Sequence, residues 1–186
     1  MQKSENSMMV DKTVKNLGKN RNCKIVIAGD GAVGKTTICK RVSGNLKEEE
    51  AQLMTCGIDF HNLEILNGQP VEAQLWDLGG QEQFRPFQKS FFDGAHIVIF
   101  VYSVEWFHSF INLEDWINLA KRYNPHLIYL LGNKIDCEDR AISREEATTF
   151  AEEHYMKYFE VSALDGSGFE EFKNELIVSI KEMYTD

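Results

Sequence analysis

Gly29-Asp30-Gly31-Ala32-Val33-Gly34-Lys35-Thr36 restricts what this chain can fold into more than any other stretch. These residues fit the spacing GxxxxGK[ST], and they lie between a short apolar run, Cys23–Ala28, and a segment of helical character. The glycines let successive backbone N–H groups turn inward. Together with the N-terminus of the following helix, those groups hold phosphate oxygens. The expected cradle is Gly29, Asp30, Gly31, Ala32, Val33 and Gly34, continued by Lys35, Thr36 and Thr37. Lys35 would reach the β- and γ-phosphates, and the Thr36 hydroxyl would ligate magnesium. Alone, the pattern specifies a phosphate cradle and leaves adenine and guanine nucleotides both open.

A strand running into such a turn implies partners for that strand. Ile58–Leu66 and Val71–Leu78 flank Asn67-Gly68, a hairpin signal. His96–Tyr102 and Leu127–Gly132 read as buried strands and Tyr158–Val161 as a short one. Between them, Trp106–Tyr123 has helical spacing, with Phe110, Leu113, Ile117 and Ala120 on one face. Ser143–His154 opens with a Ser143/Glu146 capping box, and Gly168–Tyr184 reads as a closing helix. The expected fold is α/β: a mostly parallel six-stranded sheet with one antiparallel edge strand and helices on both faces. Ligands of such sheets sit beyond the carboxyl ends of the strands. The motifs should therefore fall in the loops that follow strands.

Two more do. Asn133-Lys134-Ile135-Asp136 follows Leu127–Gly132. Guanine presents N1–H and N2–H side by side, and the Asp136 carboxylate can accept both. Adenine would leave it unpaired, at roughly 1–3 kcal/mol. Asn133 is expected at the base edge, with the Lys134 stem across the base. Trp76-Asp77-Leu78-Gly79-Gly80-Gln81-Glu82 closes another strand. Asp77 is placed as the carboxylate near magnesium, Gly80 N–H to contact a γ-phosphate, and Gln81 to orient the attacking water.

In this order, the three motifs resemble the Ras superfamily of small GTPases over about residues 23–183, most strongly its Rab branch. Thr55-Cys56-Gly57-Ile58-Asp59-Phe60 resembles a Rab switch I, which implies that Thr55 senses magnesium and the γ-phosphate. Gln81-Glu82-Gln83-Phe84-Arg85 resembles switch II, and Phe91-Phe92-Asp93-Gly94-Ala95 resembles the segment after it. Glu160-Val161-Ser162-Ala163 resembles the last guanine-binding loop, which implies that Ser162, Ala163 and Leu164 line the base and that Ala163 N–H meets guanine O6. The resemblance implies a P-loop G domain over 23–186 and a switch that binds GTP or GDP with Mg²⁺. It also implies slow GTP hydrolysis through Gln81, Lys35 and Thr55. Effectors, exchange factors and GTPase-activating proteins are the implied partners. Four features depart from the pattern. No aromatic ring precedes Thr55 in 46–54, Leu164 stands where lysine is common, Gly79-Gly80 is less typical of Rab, and no prenylatable cysteine lies near Asp186.

Composition excludes several other roles. The net charge of −9 argues against nonspecific nucleic-acid binding. Residues 1–22 carry +3 and the rest −12, and 1–22 read as a flexible polar tail. Gln2 is not the glycine that myristoylation requires, and no apolar stretch is long enough to span a bilayer. Cys23, Cys39, Cys56 and Cys137 form no CxxC pair, as expected of reduced thiols in a cytoplasmic monomer that is at most transiently peripheral to membranes. The five histidines show no ligand spacing, so metal coordination through them is not expected. Phe84, Phe87, Phe91 and Phe92 crowd switch II, and at least one is expected to meet a partner. Two rival readings are a nucleotide-binding module with little hydrolysis and a P-loop kinase or ATPase.

Overall fold

Period-two burial builds the sheet. In β1 (Arg21–Ala28), Ile25 and Ile27 face one side and Val26 and Ala28 the other, all four fully buried. Such a strand is covered on both faces. The computed structural model describes residues 21–46, 55–65, 70–80 and 89–185. After β1 come α1 (Lys35–Val42), β2 (Ile58–Ile65), β3 (Val71–Leu78) and β4 (Ile97–Ser103). There follow α2 (Phe107–Ile111), α3 (Leu113–Ala120), β5 (Leu127–Asn133), α4 (Arg144–Glu153), β6 (Lys157–Val161) and α5 (Phe169–Met183). The strand order is β2-β3-β1-β4-β5-β6, with β2 antiparallel to β3 and every other pair parallel.

Two apolar layers sandwich the sheet. On one face, Ile38, Cys39 and Val42 of α1 and Phe169, Phe172, Leu176 and Ile180 of α5 pack on Ile25, Leu75, Ile97 and Tyr129. On the other, Leu113, Trp116, Ile117 and Ala120 of α3 and Ala147 and Ala151 of α4 cover Val26, Val98, Phe100 and Leu130. Each fully buried Ile or Leu contributes about 1.5–3 kcal/mol. Every residue of β4 is buried, which fixes it centrally and presents its C-terminal end to the loops of the site.

The antiparallel register from Ile58↔Leu78 to Ile65↔Val71 bears out the hairpin. Its turn residues Asn67 and Gly68 lie outside the described residues, as do the acidic run 47–50 and the expected tail up to residue 20. The Ser143/Glu146 capping box is present, with Glu146 N donating to Ser143 Oγ at 3.1 Å and Ser143 N to Glu146 Oε2 at 2.8 Å.

Two boundaries differ from expectation. β1 begins at Arg21, because Arg21 and Asn22 pair with Val71 and Glu72. The end of α5 also clamps them: Arg21 Nη1 donates to Tyr184 O, and Tyr184 OH donates to Asn22 O at 2.7 Å. The single helix expected over Trp106–Tyr123 is broken at Asn112, where ψ is −8° against about −42° in a regular α-helix. The Asn112 amide is drawn to Asp30, its Nδ2 donating to Oδ2 at 2.6 Å.

Candidate functional site

The loop after β1 turns sharply into α1. Gly34, the residue before the helix, is left-handed at φ 96°, and a Cβ there would fall 2.2 Å from Asn133 Nδ2. Only glycine fits both demands. No side chain among the described residues caps α1 and its first turn holds no acid, so its leading N–H groups are available to an anion. Ala32 is also left-handed (φ 61°), a conformation that costs a non-glycine residue about 1–2 kcal/mol. Lys35 is buried behind the loop, its Nζ donating to Asp30 O at 2.5 Å. Burial lowers its pKa from 10.5 to about 8, against the pull of Asp77 and Asp30. Asp30 itself is held by Asn112 and by Trp116 Nε1 (3.2 Å), which ties the cradle to α3. Thr37 is half-buried in the first turn of α1.

Next to Lys35, three elements bring oxygens to one corner. Thr36 Oγ1 of α1 donates to Asp77 Oδ2 of β3 at 2.5 Å. Thr55, just before β2, places its Oγ1 2.7 Å from Thr36 Oγ1 and 3.3 Å from Asp77 Oδ2. Burial raises the Asp77 pKa, opposed first by the Thr36 bond and then by Lys35. Asp77 Oδ1 is buried without a hydrogen-bond partner among the described residues. The all-oxygen set of Thr36 Oγ1, Thr55 Oγ1 and Asp77 Oδ2 suits a hard cation such as Mg²⁺. Gly80 closes on the cradle so tightly that a Cβ would lie 2.2 Å from Asp30 C and 2.3 Å from Gly31 N. Gln81 lies outside the described residues.

The base side departs from expectation. Asn133, expected at a base edge, is 2% exposed, and its amide bridges two loops. Nδ2 donates to Val33 O at 2.7 Å, and Oδ1 accepts from Ala163 N at 2.9 Å. The Ala163 N–H expected for guanine O6 is thus engaged by Asn133. The reason is proximity: β5 ends between the cradle and the loop after β6, each with a buried backbone group needing a partner. Ser162 is buried and its Oγ accepts from Asp165 N at 3.1 Å, while Leu164 is 70% exposed. Lys134, left-handed at φ 69°, places Nζ 2.6 Å from Glu105 Oε1, and this bond pulls the Glu105 carboxyl below its usual range. Asp136 is exposed on the same loop. Two participants are not evident from sequence. Glu105 is one, although its place just after β4 is an available signal. The other is Arg41, whose Nε and Nη2 donate to Ala163 O (2.9 Å) and Leu164 O (2.7 Å).

A family model described as "Ras family" matches residues 24–182. The chain belongs to the Ras family. It is therefore a small GTPase, a GTP hydrolase, with the G-domain sheet described above. Its relatives include Rab-named proteins. "Ras-related protein Rab-11B" of Dictyostelium discoideum is 37% identical over 159 residues, which is 83% of this chain and 71% of that protein. "Ras-related protein RABD2a" of Arabidopsis thaliana is 36% identical over 163 residues, 86% and 80% of the two chains. "Ras-related protein Rab-18-B" of Danio rerio is 35% identical over 161 residues, 84% and 78% of the two.

On this GTPase an aromatic strip lies across β2 and β3, on the sheet face opposite to α1. Phe60, 49% exposed, meets Trp76 edge-on at 4.9 Å, and Phe91 lies 6.2 Å beyond Trp76. Lys24 Nζ sits 3.6 Å from the Trp76 ring. Of the four phenylalanines singled out from sequence, Phe92 is core, Phe91 is half-buried in this strip, and Phe84 and Phe87 lie outside the described residues. Phe60 and Trp76 carry no signal in sequence, because only the β2–β3 register sets them side by side, at Phe60↔Trp76. No helix among the described residues is long and apolar enough to cross a membrane.

Proposed function

We propose that this small GTPase is a guanine-nucleotide switch that binds GTP or GDP with magnesium across residues 29–37 and hydrolyses GTP slowly. One observation carries the reading. The Thr36 and Thr55 hydroxyls meet the Asp77 carboxylate beside the Lys35 ammonium, at the mouth of an uncapped helix. Thr36 and Thr55 would ligate magnesium, with Asp77 behind them. When bound, the ion neutralises charge on the β- and γ-phosphates. Lys35 then holds the same oxygens, and Gln81 orients water for in-line attack. Asp136 accepts the two guanine donors, while Lys134 and residues 162–164 shape the base pocket. Loss of the γ-phosphate releases Thr55 and Gly80, and the aromatic strip at Phe60, Trp76 and Phe91 changes with them. That strip is the proposed effector surface.

Turnover is expected to be slow. Arg41 is engaged by the base loop, and Arg85, which follows Gln81 in the sequence, is not proposed as an arginine finger. An arginine from an activating protein would add a factor on the order of 10³–10⁵. Likeness to Rab supports a role in membrane traffic or related signalling, and we propose that the chain acts as a cytoplasmic monomer transiently at membranes. The absence of an aromatic before Thr55 favours a second reading, a nucleotide holder with little hydrolysis. Multiple-turnover phosphate release separates the two. The test is release of bound nucleotide from purified protein, with GTP hydrolysis measured for the parent and for Gln81→Leu. Bound GDP, preference for GTP over ATP and loss of hydrolysis in Gln81→Leu are expected. Equal competition by ATP, or unchanged hydrolysis in the variant, would refute the reading.

A further inference from the structure

Below the threonine–aspartate corner, on the sheet face covered by α1, three unlike side chains converge. Cys39 of α1, His61 of β2 and Asp77 of β3 hold their ligand atoms within 4.8 Å of one another. Register brings them together. Asp59 stands opposite Asp77, and His61, two residues along β2, shares that face. Cys39 and Asp77 are fully buried, and the His61 side chain is 9% exposed.

Two buried atoms of this group have no hydrogen-bond partner among the described residues, His61 Nε2 and Asp77 Oδ1. A buried polar atom left unpaired is costly, and folded proteins rarely tolerate one without a use for it. Asp77 already gives Oδ2 to Thr36 and Thr55, so Oδ1 is the oxygen left over. Sulfur, imidazole nitrogen and carboxylate oxygen together make a donor set for zinc and its borderline-soft relatives rather than for magnesium.

We propose that Cys39, His61 and Asp77 form a binding site for a zinc-class divalent cation, with Asp77 shared between it and the magnesium corner. Tetrahedral bonds of about 2.0–2.3 Å would set the ligand atoms roughly 3.3–3.7 Å apart, a contraction of about 1 Å or a little more. Asp59 Oδ2 lies 3.7 Å from His61 Nε2 with its side chain 59% exposed, so it can complete the shell. Because β2 is the edge strand, Asp59 also marks the way in. Ligation replaces the Cys39 S–H bond with an S–metal bond and releases the proton to solvent. The sharing of Asp77 rests on the magnesium reading, whereas ligation by Cys39 and His61 does not, so the thiolate band and the nucleotide assays fail separately.

Cobalt(II) is the probe, added to the full chain loaded with GDP and magnesium. One cobalt per chain should bind with a thiolate-to-cobalt charge-transfer band, displaced by stoichiometric zinc and untouched by excess magnesium. Cobalt in the all-oxygen corner gives no such band. Cys39→Ser should abolish the band, and His61→Gln, which removes a direct ligand, should weaken cobalt binding by at least the roughly 10–100-fold typical of losing an outer-shell partner. A Cys56→Ser/Cys137→Ser double variant should keep both. The proposal is overturned if the parent shows no band, or if the band survives in Cys39→Ser. If Cys39→Ser does not fold, undiminished cobalt affinity in His61→Gln overturns it equally.

Discussion

Replacing Asn133 by alanine removes one amide and strands two backbone groups. Val33 O loses its 2.7 Å donor and Ala163 N–H its 2.9 Å acceptor, at a site 2% exposed. Each unpaired buried group costs about 1–3 kcal/mol, and water admitted to the small void recovers part, so a net loss of about 3 kcal/mol is expected. For a domain of this size, that lowers the melting midpoint by roughly 6–12 °C. Calorimetry on GDP-loaded protein at fixed excess GDP is the assay, because ligand concentration itself moves the midpoint. Asn133→Asp sharpens the test. It keeps an acceptor for Ala163 N–H but sets an oxygen against Val33 O, so it should lose at least as much as alanine. An alanine variant melting within about 2 °C of the parent would refute the bridging role.

Lys35 makes stability depend on pH in the nucleotide-free protein. Its folded pKa, about 8, lies below the ordinary 10.5, so the burial penalty is complete below pH 8 and fades as pH rises to 10.5. Denaturant titrations at the two ends should show the parent gaining about 3 kcal/mol relative to Lys35→Met, and an equal pH response in both would contradict this. Gly80→Ala puts a Cβ 2.2 Å from Asp30 C, which cannot yield. Competition binding should show GTP affinity falling more than GDP affinity, since only GTP has the γ-phosphate that Gly80 N–H would meet; equal losses would remove that role. Arg41→Ala frees the carbonyls of Ala163 and Leu164 and a ring contact with Phe169. Stopped-flow release of a fluorescent GDP should quicken about 10-fold, the equivalent of 1.4 kcal/mol, with magnesium affinity unchanged.

Features written in a few consecutive residues are legible in the sequence alone. The phosphate loop, the Asp77 strand end, the capping box and the hairpin are local patterns whose physics acts over neighbouring positions. The features that escape it depend on register between distant strands. Asn133 turns inward because Val33 and Ala163 flank it, and nothing near residue 133 announces either. Arg41 reads as an ordinary helix cation until β6 brings residues 163 and 164 beside it. Phe60 and Trp76 become one surface only through the β2–β3 pairing, which also gathers Cys39, His61 and Asp77. The helix break at Asn112 has the same origin, since the pull comes from Asp30. β1 begins earlier than its apolar run because its first two residues are held by β3 and by Tyr184.

That Tyr184 clamp marks one pole of the described sheet. It joins the entry of β1 to the exit of α5 at the amino ends of the parallel strands, also touching His96 ahead of β4. The phosphate cradle, the oxygen corner and the base loops all lie at the carboxyl ends, one strand length away. For the eight residues of β1 that is about 26 Å. The first described strand and the last described helix therefore meet at one pole of the sheet, and the candidate site lies at the other.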